Sequence, residues 1–131
     1  MSTKKAIIII DDEFIILESL RIQLSRIINE DIILEATSSG EESQALIDEF
    51  YNDGVDILLI ISDYNLDDCK GTTILSYAHK KFPNSKKIIL SGQSDIDEIS
   101  DFDKNIGLHG SFTKPWMFEE LKESILKAIN T

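Results

Sequence analysis

The chain has 131 residues, of which 42% are hydrophobic and 28% are charged, and its formal net charge is −11. This length and composition are typical of one globular domain with a single core. The net charge argues against direct nucleic-acid binding, because a phosphate backbone requires clustered Lys and Arg side chains. The sequence therefore predicts one domain over residues 1–131 that does not bind nucleic acid.

The cysteine count and the N-terminal residues bear on location. Cys69 is the one cysteine, so an intramolecular disulfide is impossible and a reducing setting fits. Residues 1–5 lead straight into an apolar run and lack the features of a signal peptide. No stretch approaches the roughly 20 apolar residues of a membrane span. We expect a cytoplasmic protein with no membrane contact.

Five short apolar runs predict five strands. The third run, 57–63, has no polar residue before Ser62 and Asp63. Such a run is typical of a strand that is covered on both faces, as in the middle of a parallel sheet. The predicted strands are 6–10, 32–36, 57–63, 87–91 and 107–113.

Each strand is followed by a segment with helical periodicity. The first helix is predicted over 14–29, the second begins after a cap at Ser38 or Ser39 and stops at 52–54, and the next two cover 72–82 and 96–105. The fourth helix has few apolar residues, so we expect it to be weakly held. The expected core positions are Phe14, Leu17, Leu20, Leu24 and Ile28 in the first helix, Ala45, Leu46 and Phe50 in the second, Ile96, Ile99 and Phe102 in the fourth, and Phe118, Leu121, Ile125 and Ala128 in the fifth.

Five alternating strands and helices predict an α/β fold with a doubly wound parallel sheet, in the flavodoxin-like strand order 2-1-3-4-5. All strands then end at the same edge of the sheet, which is where ligands bind in such folds. Five polar residues follow or end these strands: Asp11, Asp12, Asp63, Ser91 and Lys114. We expect them to lie within side-chain reach of one another.

Three carboxylates at this edge predict a metal site. Acids that crowd together repel one another, and a hard divalent cation such as Mg²⁺ or Mn²⁺ relieves that repulsion through oxygen ligands. Asp11 or Asp12 alone would more often be a helix cap, because acids are favoured at helix N-termini. Two acids facing Asp63 on the adjacent strand favour the metal. The cation and Lys114 would keep Asp63 ionised and able to attack phosphorus, with Ser91 and backbone N–H groups helping to neutralise the phosphoryl oxygens.

The chain resembles the receiver domain of two-component response regulators, in particular the single-domain chemotaxis-type regulators. The resemblance covers nearly the whole chain and rests on Asp11-Asp12, Asp63, Gly71, Ser91-Gly92 and Lys114-Pro115, each at the expected place in the strand order. It implies a signalling switch, and an enzyme only toward its own phosphorylation and dephosphorylation.

The resemblance also implies roles for individual residues. Asp63 would be the phosphoacceptor, Asp12 a direct metal ligand, Asp11 a ligand mostly through water, and Asn65 a ligand through its backbone carbonyl. The Lys114–Pro115 bond would be cis and would direct the lysine into the site. The implied partners are a sensor histidine kinase or histidine phosphotransfer protein, and a downstream protein or C-terminal output domain. Phosphorylation would alter the surface of helix 4, strand 5 and helix 5, which could also mediate a dimer.

Two positions depart from the family pattern. The usual Tyr or Phe three residues before the site lysine is Ser111, and Phe112 is a poor substitute because neighbouring strand residues point to opposite faces. The switch would then operate through Ser91 and the fourth helix without an aromatic rotor. The proline often found four residues after the phosphoacceptor is Asp67, which suggests a more mobile loop over 67–70.

Three other readings remain. A phosphatase of the haloacid dehalogenase type also uses an Asp nucleophile, Mg²⁺, Ser/Thr and Lys, but it needs an acid two residues after the nucleophile, where this chain has Asn65. A flavin carrier shares the fold but needs a phosphate-binding loop after strand one, where acids stand. A receiver-like domain that only mediates interactions would not need the full set of Asp63, Ser91 and Lys114.

Overall fold

A computed structural model describes residues 3–130 of the chain. Residues 1, 2 and 131 of the predicted domain lie outside this range, so the domain bounds stay a prediction. The strands are β1 Lys5–Ile10, β2 Ile33–Thr37, β3 Asp56–Asp63, β4 Lys86–Ser91 and β5 Gly110–Thr113. The helices are α1 Phe14–Ser25, α2 Gly40–Asp53, α3 Gly71–Lys81, α4 Ile96–Asn105 and α5 Phe118–Ile129. No helix within 3–130 combines the length and apolar character needed to cross a bilayer.

The five strands form one parallel sheet in the order β2-β1-β3-β4-β5, which confirms the predicted fold. Helices α2, α3 and α4 cover one face and α1 and α5 cover the other. In β3 the side chains of Ile57 and Ile60 pack on the face covered by α2, α3 and α4, and those of Leu59 and Ile61 pack on the face covered by α1 and α5. An unbroken apolar run is therefore needed because both faces of this central strand are buried.

Helix α1 is shorter than predicted. It ends at Ser25 rather than near Asn29, because the N–H groups of Arg26 and Ile27 bond to carbonyls three residues back in a tighter turn. Ile28, in that turn, is half-buried. The predicted core residue Phe14 is 74% exposed, since it opens the helix at the edge of the sheet.

Helix α2 begins as predicted, but one of its core residues was wrong. Ser39 caps the helix by accepting a hydrogen bond from the Glu42 N–H at 3.1 Å, and Gly54 ends it with a φ of 72°. The buried stripe follows Gly40, Ser43, Ile47 and Phe50. Ala45 falls outside that spacing and is exposed.

The fourth helix and fifth strand also differ from the prediction. Ile96 is 60% exposed, and only Ile99 and Phe102 of α4 are buried. Strand β5 begins at Gly110 rather than residue 107, because Gly107 has a φ of 103° that is incompatible with a strand. These differences leave α4 attached to the sheet by two large side chains, which agrees with the expectation of a weakly held helix.

Candidate functional site

Three carboxylates meet at the carboxyl edge of the sheet. Asp11 and Asp12 follow β1, and Asp63 ends the adjacent strand β3. One oxygen from each lies within 4.8 Å of the others. Asp11 is wholly buried, Asp63 is nearly so, and Asp12 is half-buried. The predicted convergence of these acids is confirmed.

Asp11 is buried beside other acids, and one of its two carboxylate oxygens has no hydrogen bond within residues 3–130. Its Oδ1 accepts a hydrogen bond from the Glu13 N–H at 2.9 Å, but its buried Oδ2 has no hydrogen-bond partner within residues 3–130. Burial raises the pKa of Asp11 to about 6, and the charges of Asp63 and Glu13 add to this effect. A buried oxygen without a donor, among other acids, is a fitting ligand for a hard cation.

Lys114 supplies a fixed positive charge to this cluster. Its Nζ lies 3.2 Å from Asp63 Oδ1, 3.6 Å from Asp11 Oδ2 and 3.6 Å from Glu13 Oε1. Burial alone would lower the lysine pKa, but the combined attraction of the three acids raises it. Glu13 was not predicted at the site, although it continues the acidic run that follows β1.

Asp63 contacts Lys114 and lies beside the other two acids. Burial raises the pKa of its carboxyl, whereas Lys114 and the Asn65 N–H lower it and Asp12 raises it further. The Lys114–Pro115 peptide bond is cis, as predicted. The Lys114 N–H donates to the Ser91 carbonyl at 2.7 Å, which joins the end of β4 to the segment after β5.

Ser91 and Ser111, the two predicted switch positions, lie in different surroundings. Ser91 is buried at the end of β4, directly after Leu90, which pairs with Asp63 across the sheet. Ser111 lies in β5 and is exposed, and no hydrogen bond within 3–130 joins it to the acids. Phe112 packs on the α1 and α5 side of the sheet, so it is not oriented to replace the missing aromatic.

Gly71 is required by close backbone contact. Its N–H donates to the Tyr64 carbonyl at 2.6 Å, and a Cβ at this position would collide with the carbonyl oxygen of Asp63 and lie 2.8 Å from Ser62 Oγ. Any side chain here would push α3 away from the end of β3. The glycine thus fixes the loop that follows Asp63.

The side chain of Asn65 connects two loops. Its Oδ1 accepts from Lys70 Nζ at 2.5 Å, and its Nδ2 donates to Asp95 Oδ2 at 3.2 Å. Asp95 immediately precedes α4. The loop that follows Asp63 is therefore hydrogen-bonded to the start of the weakly held helix.

Asp68 anchors the same loop to α2, a contact that sequence reasoning missed. Its two carboxylate oxygens accept from the Gly40 N–H at 2.8 Å and the Glu41 N–H at 3.0 Å. These bonds satisfy free N–H groups of the helix N-terminus and lower the pKa of Asp68. They argue against the more mobile 67–70 loop that was predicted because Asp67 stands where the family often has a proline.

Asp67 adds a fourth carboxyl beside the cluster. The neighbouring Asp12 carboxyl raises the pKa of Asp67. The residue is exposed. The sequence predicted a departure from the family pattern at Asp67 but no place for it at the site.

The model of the response regulator receiver domain family matches residues 7–126. The chain belongs to the response regulator receiver domain family. The matched residues extend from β1 to α5, so this receiver domain includes the acidic cluster, Ser91 and Lys114.

Solved receiver domains share the fold. A receiver domain protein described as CheY-like, from Methanospirillum hungatei JF-1, is 31% identical with a TM-score of 0.79, covering 98% of this chain and 95% of that one. A receiver domain protein from Clostridium thermocellum is 28% identical with a TM-score of 0.79, covering 96% and 94%.

Curated relatives are much longer than this chain. Hydrogenase transcriptional regulatory proteins HoxA from Bradyrhizobium diazoefficiens and Cupriavidus necator are each 25% identical over 98% of this chain. The match covers 25% of each relative. The receiver domain therefore spans about a quarter of their length.

Proposed function

We propose that this receiver domain is a phosphorylation switch that accepts a phosphoryl group on Asp63. The observation that carries the proposal is the position of the Asp63 carboxylate, 3.2 Å from Lys114 Nζ and within 4.8 Å of two further acids. A nucleophile of this kind needs one cationic partner and a place for a second. The domain would catalyse only its own phosphorylation and dephosphorylation.

The donor would be a phosphohistidine of a sensor kinase or of a histidine phosphotransfer protein. An oxygen of Asp63 attacks phosphorus, the P–N bond to the imidazole breaks, and the leaving imidazole takes up a proton from solvent. The product is an acyl phosphate on Asp63. Lys114 would bind one phosphoryl oxygen and the Ser91 hydroxyl another, so the charge that develops on these oxygens is neutralised.

The acidic cluster fits a divalent cation, Mg²⁺ or Mn²⁺. Asp12 and Asp63 would be direct ligands, Asp11 would act mostly through water, and Asn65 would offer its backbone carbonyl. The bound cation would neutralise charge on the phosphoryl group. The Oδ2 of Asp11 supports this set, because it is buried and has no hydrogen-bond donor within residues 3–130, and its ion pair with Lys114 is long, at 3.6 Å.

The output surface would be α4, β5 and α5. Ser91 would move toward the phosphoryl group and alter the position of α4, which two buried side chains hold, without an aromatic at Ser111. A downstream protein, a C-terminal output domain or a second copy would read this change. The transcriptional regulators that the chain resembles support an output domain as one form of this partner. We place this role in the cytoplasm, which suits the unpaired Cys69.

Acetyl phosphate tests the proposal directly. The protein should gain one phosphoryl group by intact mass spectrometry with Mg²⁺ present and none with EDTA. Asp63→Asn preserves the shape of the acceptor and should remain unlabelled. Labelling of that variant equal to the parent would exclude Asp63 as the acceptor.

An aryl phosphate separates the switch from a phosphatase of the haloacid dehalogenase type. The switch carries at most one labelled phosphoryl equivalent per chain, and further release of product is limited by dephosphorylation of Asp63. Continuous turnover in which product release is faster than loss of the label from Asp63 would contradict the proposal and favour the phosphatase.

A further inference from the structure

A cleft lies at the edge of the sheet opposite Asp63. It has a volume of about 580 Å³ and is formed by the turn between α3 and β4 and the turn between α4 and β5. This volume is within the range of small-molecule sites. No residue of the acidic cluster lines it. The cleft is therefore separate from the phosphorylation site.

The charge of this cleft is opposite to that of the chain. Its charged lining residues are Lys86 and Lys87, and no Asp or Glu is among the lining residues that the structure describes. His79 and His109 also line it. The whole chain has 24 acidic residues against 13 Lys and Arg. A site without acids in such a chain is a local region of positive potential, which attracts anions.

Lys87 is the central feature of the cleft. The residue is 3% exposed, and its Nζ donates to the Ser85 carbonyl at 2.9 Å. An ammonium group has three N–H donors, and this carbonyl is its one hydrogen-bond acceptor within residues 3–130. A buried ammonium without a counter-charge is costly. Burial and the nearby Lys86 accordingly lower the lysine pKa.

His79, which also lines the cleft, has a buried nitrogen without a hydrogen bond. Its Nδ1 is buried and has no hydrogen-bond partner within the described chain. Buried polar atoms in folded proteins nearly always have a partner, which can be a bound ion. The cleft is thus lined by Lys87 on β4, whose three donors have one acceptor, and by His79 on α3, whose Nδ1 has no partner within the described chain.

We propose that this cleft binds a small oxyanion, with a phosphate or carboxylate group between Lys87 and His79. The anion would supply the counter-charge to the Lys87 ammonium and accept a hydrogen bond from Nδ1–H of His79. Lys86 would add positive charge at the rim. The proposal is independent of phosphorylation on Asp63.

Amide NMR titration tests the proposal without using activity. The ¹⁵N-labelled protein, in EDTA, is titrated separately with sodium phosphate and with sodium succinate, against sodium chloride at matched ionic strength. We expect saturable shifts in residues 84–87 and 106–109 and none around Asp63. Saturation by phosphate alone or by succinate alone assigns the anion class.

Variants separate a specific site from general charge. Lys87→Met keeps the length of the side chain and should weaken binding at least about tenfold, since a charge-assisted hydrogen bond is lost. Lys104→Met removes an equal charge from an exposed position on α4 and should not change the affinity. His79→Leu provides a second test if Lys87→Met does not fold. Shifts that match those in chloride, or equal affinities in all variants, would overturn the proposal.

Discussion

Asp11→Asn should make the metal-free receiver domain more stable at neutral pH. The parent buries a carboxylate whose Oδ2 has no hydrogen-bond donor, beside the charges of Asp63 and Glu13. Asn retains an oxygen that can accept the Glu13 N–H bond but carries no charge. The substitution therefore removes the cost of ionising Asp11 inside the protein.

The size of the effect follows from the pKa of Asp11. Burial and nearby acids raise it from 3.8 to about 6 in the folded state. The folded state thus binds more protons than the unfolded state between these values, so ionisation destabilises the parent as the pH rises through that window. The full cost is about 3 kcal/mol above the folded pKa. Asp11→Asn should recover up to that amount at about pH 8 and little at about pH 4.

Urea unfolding in EDTA, at these two pH values, measures the difference. Asp53→Asn, which removes the same charge from an exposed position in α2, is the matched control and should show no comparable gain. Adding Mg²⁺ should stabilise the parent and reduce the advantage of Asp11→Asn, because the cation binds the folded parent. A variant less stable than the parent at about pH 8, or an equal gain at both pH values, would refute the reasoning.

Three further predictions concern the same edge of the sheet. Asp12→Ala should weaken Mg²⁺ binding more than any other single change outside Asp63, as measured by quenching of Trp116 fluorescence. Equal Mg²⁺ affinities of the parent and Asp12→Ala would contradict the ligand assignment. Gly71→Ala should lower the free energy of unfolding by about 1–3 kcal/mol in urea, because its Cβ would overlap the Asp63 carbonyl. Asp68→Ala should speed amide exchange at the first turn of α2 and in the loop after Asp63, where unchanged protection would show that the Gly40 bond does not anchor the loop.

The strand order and the meeting of Asp11, Asp12, Asp63 and Lys114 were predictable from sequence. Each acid or lysine directly follows or ends an apolar strand, and parallel strands end at a common edge. The position of a residue along its strand therefore predicts its place in the sheet, because all five parallel strands end at the same edge. The family resemblance added the cis bond at Lys114, which no spacing argument contains.

The buried side of each helix and the exact start of β5 could be seen only in the tertiary structure. Ala45 and Ile96 were expected in the core because both are apolar, but which side of a helix is buried depends on its rotation against the sheet. Gly107 makes β5 begin later than predicted, at Gly110, through a backbone angle that the apolar pattern does not reveal.

The sequence by itself determined the layered fold and the acidic edge, because burial and strand ends are properties of local order along the chain. The tertiary structure decided what each polar group contacts. It joined Asp68 to Gly40, 28 residues away, and placed His79 and Lys87 in one cleft. Such pairings depend on how separate elements pack, and packing is set by the whole core rather than by any single segment.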